Sequence, residues 1–158
     1  MKNVPTLYQW AGGKEALENL TKLFYEKVLQ DNLLRPVFKN MAAEHAGHVA
    51  HFIAEVFGGP ELYTQVDDGS HAKMIQHHIG KLLTEEQRKR WIQLLLESAD
   101  ELQLASDPEF RSALVAYLEW GSRIAIINSN LTDNPIAHDA PMPKWGWGEP
   151  GGPYNPEQ

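Results

Sequence analysis

The sequence predicts an all-α domain, on three observations. Apolar residues recur at spacings of three and four rather than alternating. Glycine, proline and capping residues fall between those stretches, where helices start and stop. The chain has 158 residues, 42% of them hydrophobic, enough for a single core of ordinary size.

After the Ala11-Gly12-Gly13 break, Leu17, Leu20, Phe24 and Val28 make one stripe, which predicts an amphipathic helix following a tight turn. Asp31-Asn32 ends that helix, and Pro36 leaves room only for a short helical corner before Phe38. Val49, Phe52, Ile53 and Val56 predict the next helix, stopped by Gly58-Gly59-Pro60. A loop rich in Asp, Gly and Ser then leads to a shorter helix from His71 to Leu83. Thr84 and Gln87 form a T-x-x-Q capping box, opening a helix whose face is Trp91, Leu94, Leu95, Ser98 and Leu102. Asp107-Pro108 opens the last helix, since Asp accepts free N–H groups and Pro suits the first helical position. Its stripe is Phe110, Leu114, Tyr117, Leu118, Gly121 and Ala125, with Gly121 small enough to admit a close neighbour. Four main helices and several short ones result, with no strand.

Composition changes past Asn128. From Asn134 onward Pro135, Pro141, Pro143, Pro150, Pro153 and Pro156 alternate with glycines, a density that excludes helix. The chain therefore divides into a domain over residues 1–130 and a Pro/Gly/Trp-rich tail over 131–158. Trp145, Trp147 and Tyr154 are large for a solvated linker, so the tail is expected to lie against the body or a partner.

Fourteen Lys+Arg against 21 Asp+Glu give a formal charge of −7, which repels phosphate backbones and anionic lipids. Neither nucleic acid nor a membrane is expected as a partner. With no cysteine, disulfides, thiolate nucleophiles, iron–sulfur clusters and thioether-linked haem are excluded. The N-terminus lacks the apolar run of a signal peptide, and no stretch approaches the ~18 apolar residues that span a bilayer. The expected compartment is the cytoplasm.

Six of the seven histidines lie between His45 and His78. At about 100° per residue, His45 falls near the centre of the face made by Val49, Phe52, Ile53 and Val56, while His51 points away. By the same rule His78 shares a face with Met74, Ile75 and Leu82, and His77 is turned aside. Two imidazoles thus point into apolar surroundings from different helices. The helices hold no H-E-x-x-H zinc pair, no E-x-x-H of a di-iron bundle and no phosphate-cradling glycine loop. A haem asks for one imidazole, aromatic walls and donors opposite; two core histidines satisfied internally ask for nothing. Periodicity alone leaves both readings open.

Over Tyr8 to Asn128 the sequence resembles the group II truncated haemoglobins. The resemblance rests on landmarks in order: Ala11-Gly12-Gly13, the Phe24-Tyr25 pair, Phe38 after a short corner, Phe57-Gly58-Gly59-Pro60, His71 followed by His78, and Trp91 thirteen positions later. It implies a shortened globin fold, a two-over-two helical sandwich around non-covalent haem b. It makes His78 the proximal iron ligand, with Met74 on its face, and Tyr25 the distal tyrosine. Phe38 would pack on the haem, Trp91 would be the buried tryptophan of the group, and His45 would face bound ligand. Val49, Phe52 and Ile53 would line the distal side, with Lys73 and His77 as propionate partners in place of the arginines common in the family.

Trp91 only donates, Tyr25 donates or accepts, and His45 does either according to tautomer, so the three make a cage suited to dioxygen. The expected function is reversible binding of dioxygen, nitric oxide, carbon monoxide or other small ligands by a monomer or homodimer, served by a reductant. Two alternatives stand beside it: a haem enzyme such as a nitric oxide dioxygenase or peroxidase, and a cofactor-free helical interaction protein.

Overall fold

The structure, a computed structural model, describes residues 3–156. Thr6 and Gln9 open α1 (Leu7–Ala11) with a capping box: the Gln9 N–H donates to Thr6 Oγ1 at 3.0 Å and the Thr6 N–H donates to Gln9 Oε1 at 2.9 Å. Gly12, at φ 109°, then turns the chain sharply into α2 (Gly13–Gln30). A short α3 (Arg35–Phe38) carries Pro36 in its first turn, and α4 (His45–Val56) follows. A π-helical turn (Leu62–Val66) and α5 (His71–Gln76) lead to α6 (Glu85–Glu101) and α7 (Pro108–Ser129). No strand occurs among the described residues.

The long helices form two pairs, α2 on α4 and α6 on α7, joined where α2 crosses α6. Leu17, Leu20, Phe24 and Val28 of α2 are almost wholly buried with Ile53, Val56, Phe57, Leu95, Ala99, Phe110 and Leu118. Burying each large apolar side chain here contributes about 1.5–3 kcal/mol. Buried Arg88 pairs with Glu85 on its own helix and with Glu119 at 3.1 Å, tying α6 to α7. The start of the chain is sewn to the end of α4 by the Tyr8 N–H donating to Phe57 O at 3.0 Å. Gly59 permits that closeness, for a Cβ there would stand 2.6 Å from the Tyr8 ring and 2.8 Å from Ala54 O.

The helix expected over His71–Leu83 stops at Gln76. Beyond it the chain winds through i to i+3 turns, His78 N–H to Ile75 O at 2.9 Å and Lys81 N–H to His78 O at 3.1 Å. Gly80 and Leu82 then take positive φ, which an α-helix cannot carry. The N–H groups of Leu82 and Leu83 go instead to Ser129. Leu82, expected beside His78, is 66% exposed. Two further expectations fail. Leu102, placed on the buried face of α6, lies just past the helix end and is partly exposed. Gly121 has open space where a Cβ would stand, so nothing packs closely on it.

The tail lies along the body. The Trp145 N–H donates to Val56 O at 2.9 Å, and its indole N–H to Ala113 O at 3.1 Å. The Trp147 indole N–H donates to Pro5 O at 2.8 Å. Trp145 packs with Tyr117 and Trp120, and Trp147 with Trp10 and Phe110, while Tyr154 is exposed. Among the described residues no helix is long and apolar enough to cross a membrane.

Candidate functional site

One wall of the site is built by α2, α3, α4 and α6. The stripe of α2 that buries Phe24 turns adjacent Tyr25, itself buried, toward His45, the half-buried first residue of α4. Tyr25 Oη lies 3.0 Å from His45 Nε2, with the ring centroids 4.9 Å apart and nearly perpendicular. Phe38 from α3 closes one side, 5.7 Å from Tyr25 and 6.3 Å from His45. Trp91 from α6 meets Phe24 edge-on at 5.4 Å, and Phe24 meets Tyr25 at 4.8 Å. An unbroken run of rings thus leads from Trp91 to His45. Phe52 stacks edge-on against Tyr63 at 5.2 Å, Ile53 is buried, and Val49 is half-buried.

Burial drives the Tyr25 phenol well above the ordinary tyrosine range, so it keeps its proton. Burial also lowers the pKa of His45, helped by His77 and His48. A neutral imidazole therefore faces a neutral phenol, with two arrangements open to the pair. If Nε2 carries the hydrogen, it donates to Tyr25 and frees the phenol O–H for a guest; otherwise Tyr25 spends its proton on His45. The Trp91 indole N–H has no hydrogen-bond partner among the described residues and remains a free donor on a partly exposed ring.

The second imidazole is that of His78, close enough to His45 to feel its charge. Burial, with smaller contributions from His77, His45 and Lys81, pushes its pKa down to about 4. The backbone carbonyl of Met74 works in the opposite direction on the same ring. Nδ1 is nonetheless buried without a hydrogen-bond partner that meets normal geometry. A neutral, desolvated imidazole left in that condition costs about 1–3 kcal/mol, and its neutral Nε2 is of the kind that can ligate a metal. Neighbouring His77 is exposed, and Lys73 is held at the surface by Asp68, its Nζ donating to Asp68 O at 2.6 Å. Met74 is half-buried.

The residues present fit a haem: one neutral imidazole whose Nδ1 lacks a partner, a wall of aromatic rings about Tyr25 and His45, and hydrogen-bond donors on that wall. No group of three or more His, Asp or Glu side chains among the described residues could hold a bare metal ion. A cavity of about 360 Å³ lies elsewhere, along the seam with the tail, where Glu55, Thr64, His71, Met142 and Lys144 are among its lining. None of its lining residues belongs to the site.

Periodicity missed the residues that hold the His78 segment. Ser129 is fully buried and receives the N–H groups of Leu82 and Leu83, and Asn134 donates to Ala72 O at 2.8 Å. Asn134-Pro135 reads as a turn in the sequence, but nothing local reveals a partner so far back along the chain.

The profile of the bacterial-like globin family matches residues 6–121. A group 2 truncated haemoglobin of Bacillus subtilis, YjbI, is 29% identical over 121 residues, covering 77% of this chain and 89% of that one. The structure of a truncated oxygen-avid haemoglobin from Bacillus subtilis superposes with a TM-score of 0.67 at 29% identity, over 77% of this chain and 99% of that one. The group II truncated haemoglobin of Bacillus anthracis gives a TM-score of 0.70 at 21% identity, over 87% and 98% of the two chains, a likeness of fold.

Proposed function

Because the chain belongs to the bacterial-like globin family, we propose that it is a haem protein of the group II truncated type, which binds dioxygen and other small diatomic ligands reversibly. The observation that carries this reading is the neutral His78 imidazole, its Nδ1 buried and unpartnered, close enough to His45 to feel its charge. Haem b, when bound, would supply an iron that takes dioxygen, nitric oxide or carbon monoxide as its ligand. His78 would hold that iron through Nε2. Its Nδ1–H would turn to the Met74 carbonyl, fixing the tautomer. Phe38, Phe52, Val49 and Ile53 would exclude water, and Met74 would pack on the His78 side. Lys73 and His77, both at the surface, would be the partners of the propionates.

Tyr25 and Trp91 are the donors left to a polar guest, and His45 sets whether the phenol proton is available. Such a cage slows the escape of a ligand that gathers negative charge, which suits retention and redox use better than bulk delivery. A cellular reductant would keep the iron ferrous, and the cytoplasm is the matching compartment.

The test is a spectral series on purified protein. It should show a Soret band, about one haem per chain and reversible changes with oxygen and carbon monoxide. His78→Ala should weaken haem retention strongly and His77→Ala should not. A folded, colourless protein that takes up no hemin refutes the reading.

A further inference from the structure

We propose that the C-terminal tail is a positioning strap for His78, with Asn134, aided by Ser129, as its working contact. The inference rests on the reading of His78 as the haem ligand. The segment that carries His78 has little order of its own: α5 spans six residues, and a helix so short does not persist unaided. Ser70 caps its start, accepting from the Lys73 N–H at 3.1 Å.

The longer-range hydrogen bonds of this segment run to the last turn of α7 and to the tail. Asn134 Oδ1 accepts from the Ile136 N–H at 3.0 Å, an Asx turn that fixes the side-chain amide. Asn134 Nδ2 is thereby aimed at α5, donating to Ala72 O at 2.8 Å and to Gln76 Oε1 at 3.3 Å. Pro141 and His71, the latter at the front of the same helix, line one cavity. On the far side of His78, Ser129 O accepts from the Leu82 N–H, and Ser129 Oγ accepts from the Leu83 N–H, each at 3.0 Å. Ser129 is itself fixed, its hydroxyl donating to Ile126 O at 2.7 Å. His78 therefore hangs between two anchors supplied by one short stretch of chain. The tail sets the rotation and depth of the imidazole, which α5 alone does not.

Asn134→Asp keeps Oδ1 for the turn but turns the donor into an oxygen facing Ala72 O. In the haem-free protein, amide exchange over residues 71–80 should quicken about tenfold, the loss of one part-buried hydrogen bond, with α2, α4 and α6 unchanged. In the haem-loaded protein, the ferrous iron–histidine stretching band should shift and hemin should transfer faster to excess apomyoglobin. Trp147→Phe, which frees the tail only at Pro5, should do none of this. If Asn134→Asp fails to fold, Gln76→Leu, which removes the 3.3 Å contact alone, should give the same pattern in smaller measure. Unchanged exchange over 71–80 overturns the proposal, as does a rise spread evenly over all helices. So does local quickening with an unmoved band and unchanged hemin transfer. A protein that takes up no haem refutes the haem reading instead, and the exchange measurement then still decides whether the strap holds the segment.

Discussion

Acidification of the haem-free protein tests the account of His78 most directly. Folding lowers its pKa from 6.5 to about 4, so between those values the unfolded chain binds the proton and the folded chain resists it. The stability contributed is fully present above pH 6.5 and is lost as pH falls toward 4. At 1.36 kcal/mol for each pH unit, that window holds about 3 kcal/mol, a large share of the stability of a domain this size. His45 and His71, lowered in the same direction, add to the fall in the wild-type protein. Comparison with His78→Leu isolates the one ring. Leucine carries no proton and relieves the unpartnered Nδ1, so the variant should match or exceed the wild type at pH 7 and pull ahead by up to about 3 kcal/mol at pH 4. Urea unfolding of both apoproteins at half-unit steps from pH 7.5 to 4 gives the difference. Parallel curves would refute the reasoning, for they would mean that His78 is as easily protonated folded as unfolded.

Three further outcomes follow from the packing. Trp91→Phe keeps the ring that meets Phe24 but removes the free N–H, so it should speed oxygen dissociation in stopped flow while leaving the melting curve of the apoprotein almost unmoved. Tyr25→Phe leaves His45 Nε2 without its 3.0 Å partner and should cost about 1 kcal/mol in urea unfolding, since partly exposed His45 recovers some of the loss from water. Gly59→Ala drives a methyl to 2.6 Å from the Tyr8 ring and should cost about 1–3 kcal/mol, read as a lower urea midpoint with unchanged slope.

The helices that bury a continuous stripe were readable because their periodicity is set by residues close in sequence. Thr84 and Gln87 close the expected capping box, with bonds of 3.0 and 3.1 Å, and Asp107 caps α7 by accepting from the Phe110 N–H. The same T-x-x-Q pattern at Thr6 and Gln9 marks α1, a helix the apolar stripes did not announce. What periodicity missed depends on distant partners. The 100° rule fails beyond Gln76, since Ser129 captures the N–H groups of Leu82 and Leu83 that a longer helix would have used. His77 is exposed and His78 turned inward all the same, through turns rather than a helical face. Arg88, a charge on a helix that looks solvated, is buried because Glu119 on α7 receives it. The bond between Tyr25 and His45 was not legible in the sequence, since no local rule joins residues on two helices across a corner.

The Trp147 indole bonded to Pro5 O holds the tail against the segment that leads into α1. A fluorophore beside Pro5 and a quencher beside Trp147 would report that clasp as it loosens, before the helices melt. Joining Val4 to Gly152, which already lie side by side, through a short peptide and reopening the ring at an exposed loop should likewise leave the fold its original neighbours.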